Sequence, residues 1–200
     1  RNSKMRTLVI ATKNKGKYLE FKKMLGDISF TLLSLEAFPH IEIKETGTSF
    51  DENALIKARV TAKETGLPAL ADDSGLEVNA LKGEPGIFTA RYAGEHATDE
   101  DNIKKLLERL KNVPLDKRQA RFMCSLALAF PDGKIFLEHG ILEGFIALRP
   151  CGIEGFGYDP VFFVPDLGRT LSEISIDEKN RISHRAKALE KMKKHLDMYI

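Results

Sequence analysis

The sequence predicts an α/β protein: a long, curved mixed sheet with flanking helices, folded as two lobes around a central cleft. Three observations lead there. Short apolar runs are interleaved with segments of helical periodicity along the whole chain. Asp132-Gly133 lies between two apolar runs, a strong hairpin signal, so the sheet is not purely parallel. A chain of 200 residues is long enough for one domain, or for two lobes that share one site. The expected organisation is a single two-lobed domain over 1–200.

Thr7 to Thr12 is a short apolar run suited to a central strand. Gly16 to Leu25 reads as a helix with Tyr18, Phe21 and Leu25 on one face, and Phe30 to Leu35 as a second strand. An acidic loop, Glu42 to Gly47, leads to a long helix capped by Thr48 or Ser49 and closed by Gly66, with Pro68 beyond. Phe50, Ala54, Ala58 and Ala62 recur every four residues, a small-residue stripe that lets this helix lie close to its neighbour. Leu67 to Leu70 is a short buried strand, and Ala71-Asp72-Asp73-Ser74-Gly75 then reads as a turn at its end. Thr98 opens a helix with Asp101 as its capping-box acid and Ile103, Leu106, Leu107 and Leu110 as its apolar face. Ala120 to Phe130 and Lys134 to Leu142 form the hairpin, and Val161 to Val164 is a further strand. Ser183 caps the last helix, whose face is Leu189, Met192 and Leu196; its lysines form a solvated side.

Composition narrows the function. The formal net charge is +2, and charges of both signs are interspersed. No basic stripe tracks a phosphate backbone, so a nucleic-acid polymer is not the expected partner. Cys124 and Cys151 are far apart and form no metal or redox motif, which suits a reducing cytosol. No apolar run approaches the ~20 residues of a membrane helix, and no signal peptide is visible. The expected setting is cytoplasmic, without a membrane partner. Met5 is a candidate natural start, which would place Arg1 to Lys4 upstream of it.

Five segments could carry chemistry. Thr12-Lys13-Asn14-Lys15-Gly16-Lys17 joins a strand to a helix, where free backbone N–H groups and lysines attract phosphate. It lacks the first glycine of a Walker A loop, and it also fits a plain basic turn. Glu45-Thr46-Gly47 precedes a helix on which Asn53 and Lys57 share a face; alone, these fit surface roles. Asp72 and Asp73 lie past a strand end, where α/β proteins bind ligands and where carboxylates suit magnesium. Gly155-Phe156-Gly157-Tyr158-Asp159-Pro160 can present a ring for stacking on a base, or simply turn the chain. Ser183-His184-Arg185 puts two cations in a first helical turn, against the helix dipole, which hints at a ligand with acceptor atoms.

Together, and in this order, these segments resemble the Ham1 family of inosine triphosphate pyrophosphatases, which act on non-canonical purine nucleoside triphosphates. The resemblance also takes in Gly83-Glu84-Pro85-Gly86-Ile87 and Ala90-Arg91-Tyr92, and runs from Leu8 to about Leu196. Lys13 departs from it, since many relatives have glycine there. The resemblance implies Mg-dependent hydrolysis of ITP, dITP or XTP to the monophosphate and pyrophosphate, by a homodimer. It implies that Thr12, Lys13, Asn14, Lys15, Gly16 and Lys17, with Lys57 and Ser74, bind the triphosphate. Glu45 and Asp73 would hold Mg²⁺, with Asp73 also the general base. Phe156, Gly157, Tyr158, Asp159, Lys179, His184 and Arg185 would form the base pocket.

These residue types suit that chemistry. A triphosphate repels hydroxide until cations neutralise it. Donors such as His184 and Arg185 would favour a purine with an oxygen at position six over adenine, whose amino group is itself a donor. Neighbouring residues of an extended segment point to opposite sides, so only one of Asp72 and Asp73 faces the metal, and Asp72 supports the turn. Two other readings keep the same pocket: a nucleotide sensor without turnover, and a magnesium phosphohydrolase that releases orthophosphate.

Overall fold

The computed structural model describes residues 6–26 and 30–199. Arg1 to Met5, on which the question of the natural start falls, lie outside the described residues. The strands are β1 (Arg6–Ile10), β2 (Phe30–Ser34), β3 (Ala69–Val78), β4 (Gln119–Ala129), β5 (Ile135–Ile146), β6 (Phe162–Val164) and β7 (Arg169–Thr170). The helices are α1 (Lys15–Met24), α2 (Phe50–Thr65), α3 (Asp99–Arg109), α4 (Ile176–Ile182) and α5 (His184–Asp197). One open seven-stranded sheet runs in the order β2-β1-β3-β4-β5-β6-β7. Strand β1 pairs in parallel with β2 and β3, whereas β6 pairs antiparallel with β5 and β7. The sheet is therefore mixed, as the Asp-Gly hairpin signal requires.

By contact density the chain divides into two compact units. One comprises Arg1–Asp73, Cys124–Gly140 and Arg185–Ile200; the other comprises Ser74–Met123 and Ile141–His184. The first unit has a core on each face of its part of the sheet, because successive strand residues point to opposite sides. Leu8, Ile10, Leu70, Cys124, Leu126 and Leu128 pack with Phe21 of α1, with Leu25 at its end, and with Leu189, Met192 and Leu196 of α5. Val9, Ala69, Ala71, Ala127 and Ala129 pack with Ala54, Ala58 and Ala62 of α2. Alanine on both partners gives the close approach that the stripe on α2 predicts. The second unit centres on Leu76, Val78, Leu106, Leu110, Phe122, Ile146 and Phe162.

Local signals set most boundaries. Ser49 caps α2 by accepting the N–H of Glu52, and Gly66 ends it at φ 66°. Thr98 and Asp101 form the expected capping box of α3. The principal difference concerns β3. The segment Ala71 to Gly75, expected as a turn, lies inside a ten-residue strand. Strand β1 pairs with β3 only at Ala69 and Leu70, and the strand runs on past it with β4 as its other neighbour in the sheet, so sheet context outweighs the turn preference of Asp, Ser and Gly. Helix α4 is a second difference from the sequence pattern. Its seven residues are too short for a periodic pattern, although Ser175 and Glu178 form a capping box at its start.

Candidate active site

Alternation along β3 separates its two aspartates. Asp73 points to the side of Ala69 and Ala71, and so toward α2. There the Lys57 ammonium lies 3.1 Å from the Asp73 carboxylate and 3.4 Å from that of Glu45. Lys57 and Asp73 are each only 8% exposed. Burial raises the Asp73 pKa above its ordinary value, with the nearby Asp72 and Glu45 charges adding to it, and Lys57 and Lys17 offset only part of this. Burial would lower the Lys57 pKa, but the charges of Asp73, Glu45 and Asp72 outweigh it and hold Lys57 protonated.

Helix α2 also fixes the loop that carries Glu45. Asn53, one turn before Lys57, accepts the Gly47 N–H at 2.8 Å. Only glycine fits there, because a Cβ would stand 2.6 Å from the Glu52 Cβ and 2.7 Å from Asn53 Oδ1. Gly47→Ala is therefore expected to destabilise the protein by about 1–3 kcal/mol through overpacking and to displace Glu45. Urea unfolding and a nucleotide turnover assay check the two effects separately.

Asp72 points to the opposite face, toward α1 and α5. Its side chain is fully buried, with Lys17 at 2.5 Å and Arg185 Nε at 3.3 Å. The Cys124 thiol lies 3.3 Å from the same carboxylate oxygen as Arg185. Arg185 is itself 2% exposed and also bonds the buried Glu20 of α1 through Nη1. Burial opposes ionisation of Asp72, but Lys17, Arg185 and Lys57 hold its carboxyl well below the usual range. Asp72 is thus the central charge of a buried network that fixes Lys17; the turn it was expected to support is part of β3. The resemblance places Arg185 in a base pocket; its guanidinium is committed here to Asp72 and Glu20.

The turn before α1 has the strand-to-helix setting expected of a phosphate site. Asn14 caps the helix by accepting the Lys17 N–H at 3.0 Å, and Thr12 Oγ1 accepts the Asn14 N–H at 3.1 Å. Asn14 thus occupies one amide that the sequence left open for phosphate. Lys13 and Lys15 are exposed, and Gly16 and Lys17 are half-buried.

The second unit carries the aromatic segment. Asp159 is buried and pairs with Lys179 at 2.6 Å. Its carboxylate also accepts the Phe156 N–H at 3.1 Å. Gly155, at φ 78°, leaves room for that carboxylate, which a Cβ would approach to 2.2 Å. The Lys179 ammonium stands 4.6 Å from the centre of the Phe156 ring. Gly157 donates its N–H to Asp99 at 2.8 Å, and Tyr158 donates its hydroxyl to the Thr89 carbonyl at 2.7 Å. His184 is buried and stacks on Phe122, with ring centres 4.8 Å apart. Ser74 is half-buried in β3, next to Asp73.

The donor set of the first unit fits magnesium. Among the described residues no group of three or more His, Cys, Asp or Glu side chains is arranged to hold a metal, and magnesium needs only one or two carboxylates. Glu45 and Asp73 supply two, already gathered around one cation.

Sequence reasoning missed Glu20, Cys124 and Asp99. Glu20 had a signal, an acid next to Phe21 of the buried stripe. Cys124 had one too, since it precedes Leu126 and Leu128 on the same side of β4.

The Ham1 family model matches residues 8–195. A dITP/XTP pyrophosphatase from Geobacter sulfurreducens is 53% identical over 193 residues, covering 96% of this chain and 97% of that protein. The solved structure of a HAM1 protein from Coxiella burnetii superposes with a TM-score of 0.87 at 45% identity, covering 97% of this chain and 100% of that one. The Ham1 protein of Staphylococcus aureus gives a TM-score of 0.85 at 41% identity, covering 98% and 100%.

Proposed function

Because this chain belongs to the Ham1 family, we propose that it is a nucleoside triphosphate pyrophosphatase acting on dITP, XTP and ITP. It would split them into the monophosphate and pyrophosphate, and so clear deaminated purines from the nucleotide pool. The observation that carries the reading is the meeting of the buried Lys57 and Asp73 with the exposed Glu45 on the α2 side of β3. Asp73, held beside Lys57 and Glu45, would take a proton from an attacking water. A lysine held protonated beside it neutralises phosphate charge as the transition state forms. Lys17, held by Asp72, is a second counter-charge for the triphosphate.

Glu45 and Asp73 are our proposed ligands for Mg²⁺, which when bound would screen the phosphates and polarise the bridging oxygen that departs. In the second unit, Phe156 would stack on the purine. Lys179 and His184 would supply donors toward its six-position oxygen, with Gly157, Tyr158 and Asp159 shaping the loop. We assign Arg185 to the support of Asp72. Ser74, adjoining Asp73, would contact substrate through its hydroxyl or N–H. We also propose a homodimer in the cytoplasm. Among the described residues no helix is long and apolar enough to cross a membrane.

The test is a nucleotide panel with pyrophosphate and orthophosphate measured in parallel. Pyrophosphate from dITP and XTP, with little from ATP, is the expected result. Orthophosphate would point to another phosphohydrolase, and binding without release to a sensor. Chelation with EDTA is expected to stop turnover, and added Mg²⁺ to restore it. Full activity in EDTA would remove the metal from the scheme.

A further inference from the structure

We infer that Asp99, at the start of α3, is a positioning residue for purine binding: its carboxylate holds the Phe156–Tyr158 loop in the shape that presents the Phe156 ring. This rests on the functional reading above and goes beyond it, since Asp99 lies outside every segment that carries that reading.

The geometry is specific. The loop has two successive backbone N–H groups, and each is held by a different carboxylate. Phe156 N–H goes to Asp159 at 3.1 Å, from within the loop's own segment. Gly157 N–H goes to Asp99 at 2.8 Å, from 58 residues away. Gly157 sits at φ 60°, a conformation that other residues rarely adopt. The Asp99 bond therefore holds the loop at a point where the backbone is freest to change.

Asp99 can hold it only if α3 is rigid, and several contacts make it so. Ile103, Leu106 and Leu110 are buried in the core of the unit. Asn102, 2% exposed, accepts the Ala93 N–H at 2.8 Å and donates to the Ala90 carbonyl at 3.1 Å. Lys105 donates to the Tyr92 carbonyl at 2.6 Å. The stretch fixed in this way also includes Thr89, whose carbonyl receives the Tyr158 hydroxyl. Thr89 in turn accepts the Leu76 N–H through Oγ1 at 2.9 Å, which ties the same assembly to β3 beyond Ser74. One body, built from residues 86–99 and α3, thus grips the loop at Gly157 and at Tyr158. A site held by elements that are themselves locked keeps its geometry.

The experiment compares Asp99→Ala with Asp99→Asn, which loses the charge but keeps an acceptor oxygen. For Asp99→Ala, KM for dITP and XTP is expected to rise about tenfold, the worth of one hydrogen bond to a charged group. Its kcat should stay within about twofold, because the phosphate side is untouched. Asp99→Asn should recover most of the loss. Competitive inhibition by inorganic tripolyphosphate, which has no base, should be the same in all three proteins. An unchanged KM in Asp99→Ala overturns the role, and so does an Asn variant as impaired as the Ala variant, or a matching loss of tripolyphosphate inhibition. If the wild-type protein releases no pyrophosphate from either nucleotide, the functional reading fails and this role falls with it. An active wild type beside an unaffected Asp99→Ala removes only Asp99.

Discussion

Asp73→Asn is expected to cut pyrophosphate release by about 10³-fold, within the range of a lost general base, while the protein stays folded. The amide keeps the shape of the carboxylate but cannot accept a proton from water. Stability should move the other way, or not at all. The folded pKa of Asp73 lies above its unfolded value. A group shifted in that direction stabilises the fold only while protonated, and that contribution is lost as pH rises through the folded pKa. At neutral pH the ionised Asp73 is therefore a cost to folding, which the neutral amide removes. Lys57 keeps Glu45 as a counter-charge at 3.4 Å. Thermal unfolding together with pyrophosphate release tests both halves. A variant that turns over dITP at the wild-type rate would end the case for Asp73. One that unfolds at much lower temperature would show that the carboxylate supports the fold.

Arg185→Ala is expected to act mainly on stability. It would leave the buried carboxylates of Asp72 and Glu20 without their shared partner, and breaking a buried pair on one side costs about 3–5 kcal/mol. Urea unfolding should show the midpoint falling with little change in slope. The pH dependence carries a second signature. Asp72 has a folded pKa well below its unfolded value near 3.8. Its pairing therefore stabilises the fold above that unfolded value, and the benefit fades as pH falls through the depressed folded pKa. The stability gap between wild type and Arg185→Ala should narrow under strong acid. A variant of ordinary stability that has only lost its preference for dITP over ATP would return Arg185 to the base pocket.

Much of this was legible in the chain. The alanine stripe at Ala54, Ala58 and Ala62 pointed to a helix lying close on its neighbour, and α2 packs on an alanine-rich sheet face. The Thr98–Asp101 capping box and the stop at Gly66 stand where their chemistry put them. The resemblance put Lys57 and Asp73 in one site but did not pair them, and no spacing rule links residues 16 positions apart on different elements. What stayed hidden has a common cause. Turn preferences at Ala71 to Gly75 are local, whereas β3 is held by strands from distant parts of the sequence. The Glu20–Arg185 contact spans 165 positions and the Gly157–Asp99 contact spans 58. Periodicity reports which face a residue occupies, not which distant partner meets it there.

The back-to-back placement of Asp72 and Asp73 also bears on how this protein can change. Of the two neighbouring acids, Asp73 meets Lys57 on the α2 side and Asp72 meets Lys17 and Arg185 on the α1 and α5 side, with the backbone of β3 as the partition. Variation on the α2 side can alter turnover without loosening the anchor. The partition is also brittle: deleting a single residue of β3 ahead of this pair would exchange their sides, so that the lysine and the guanidinium would each meet the wrong neighbour.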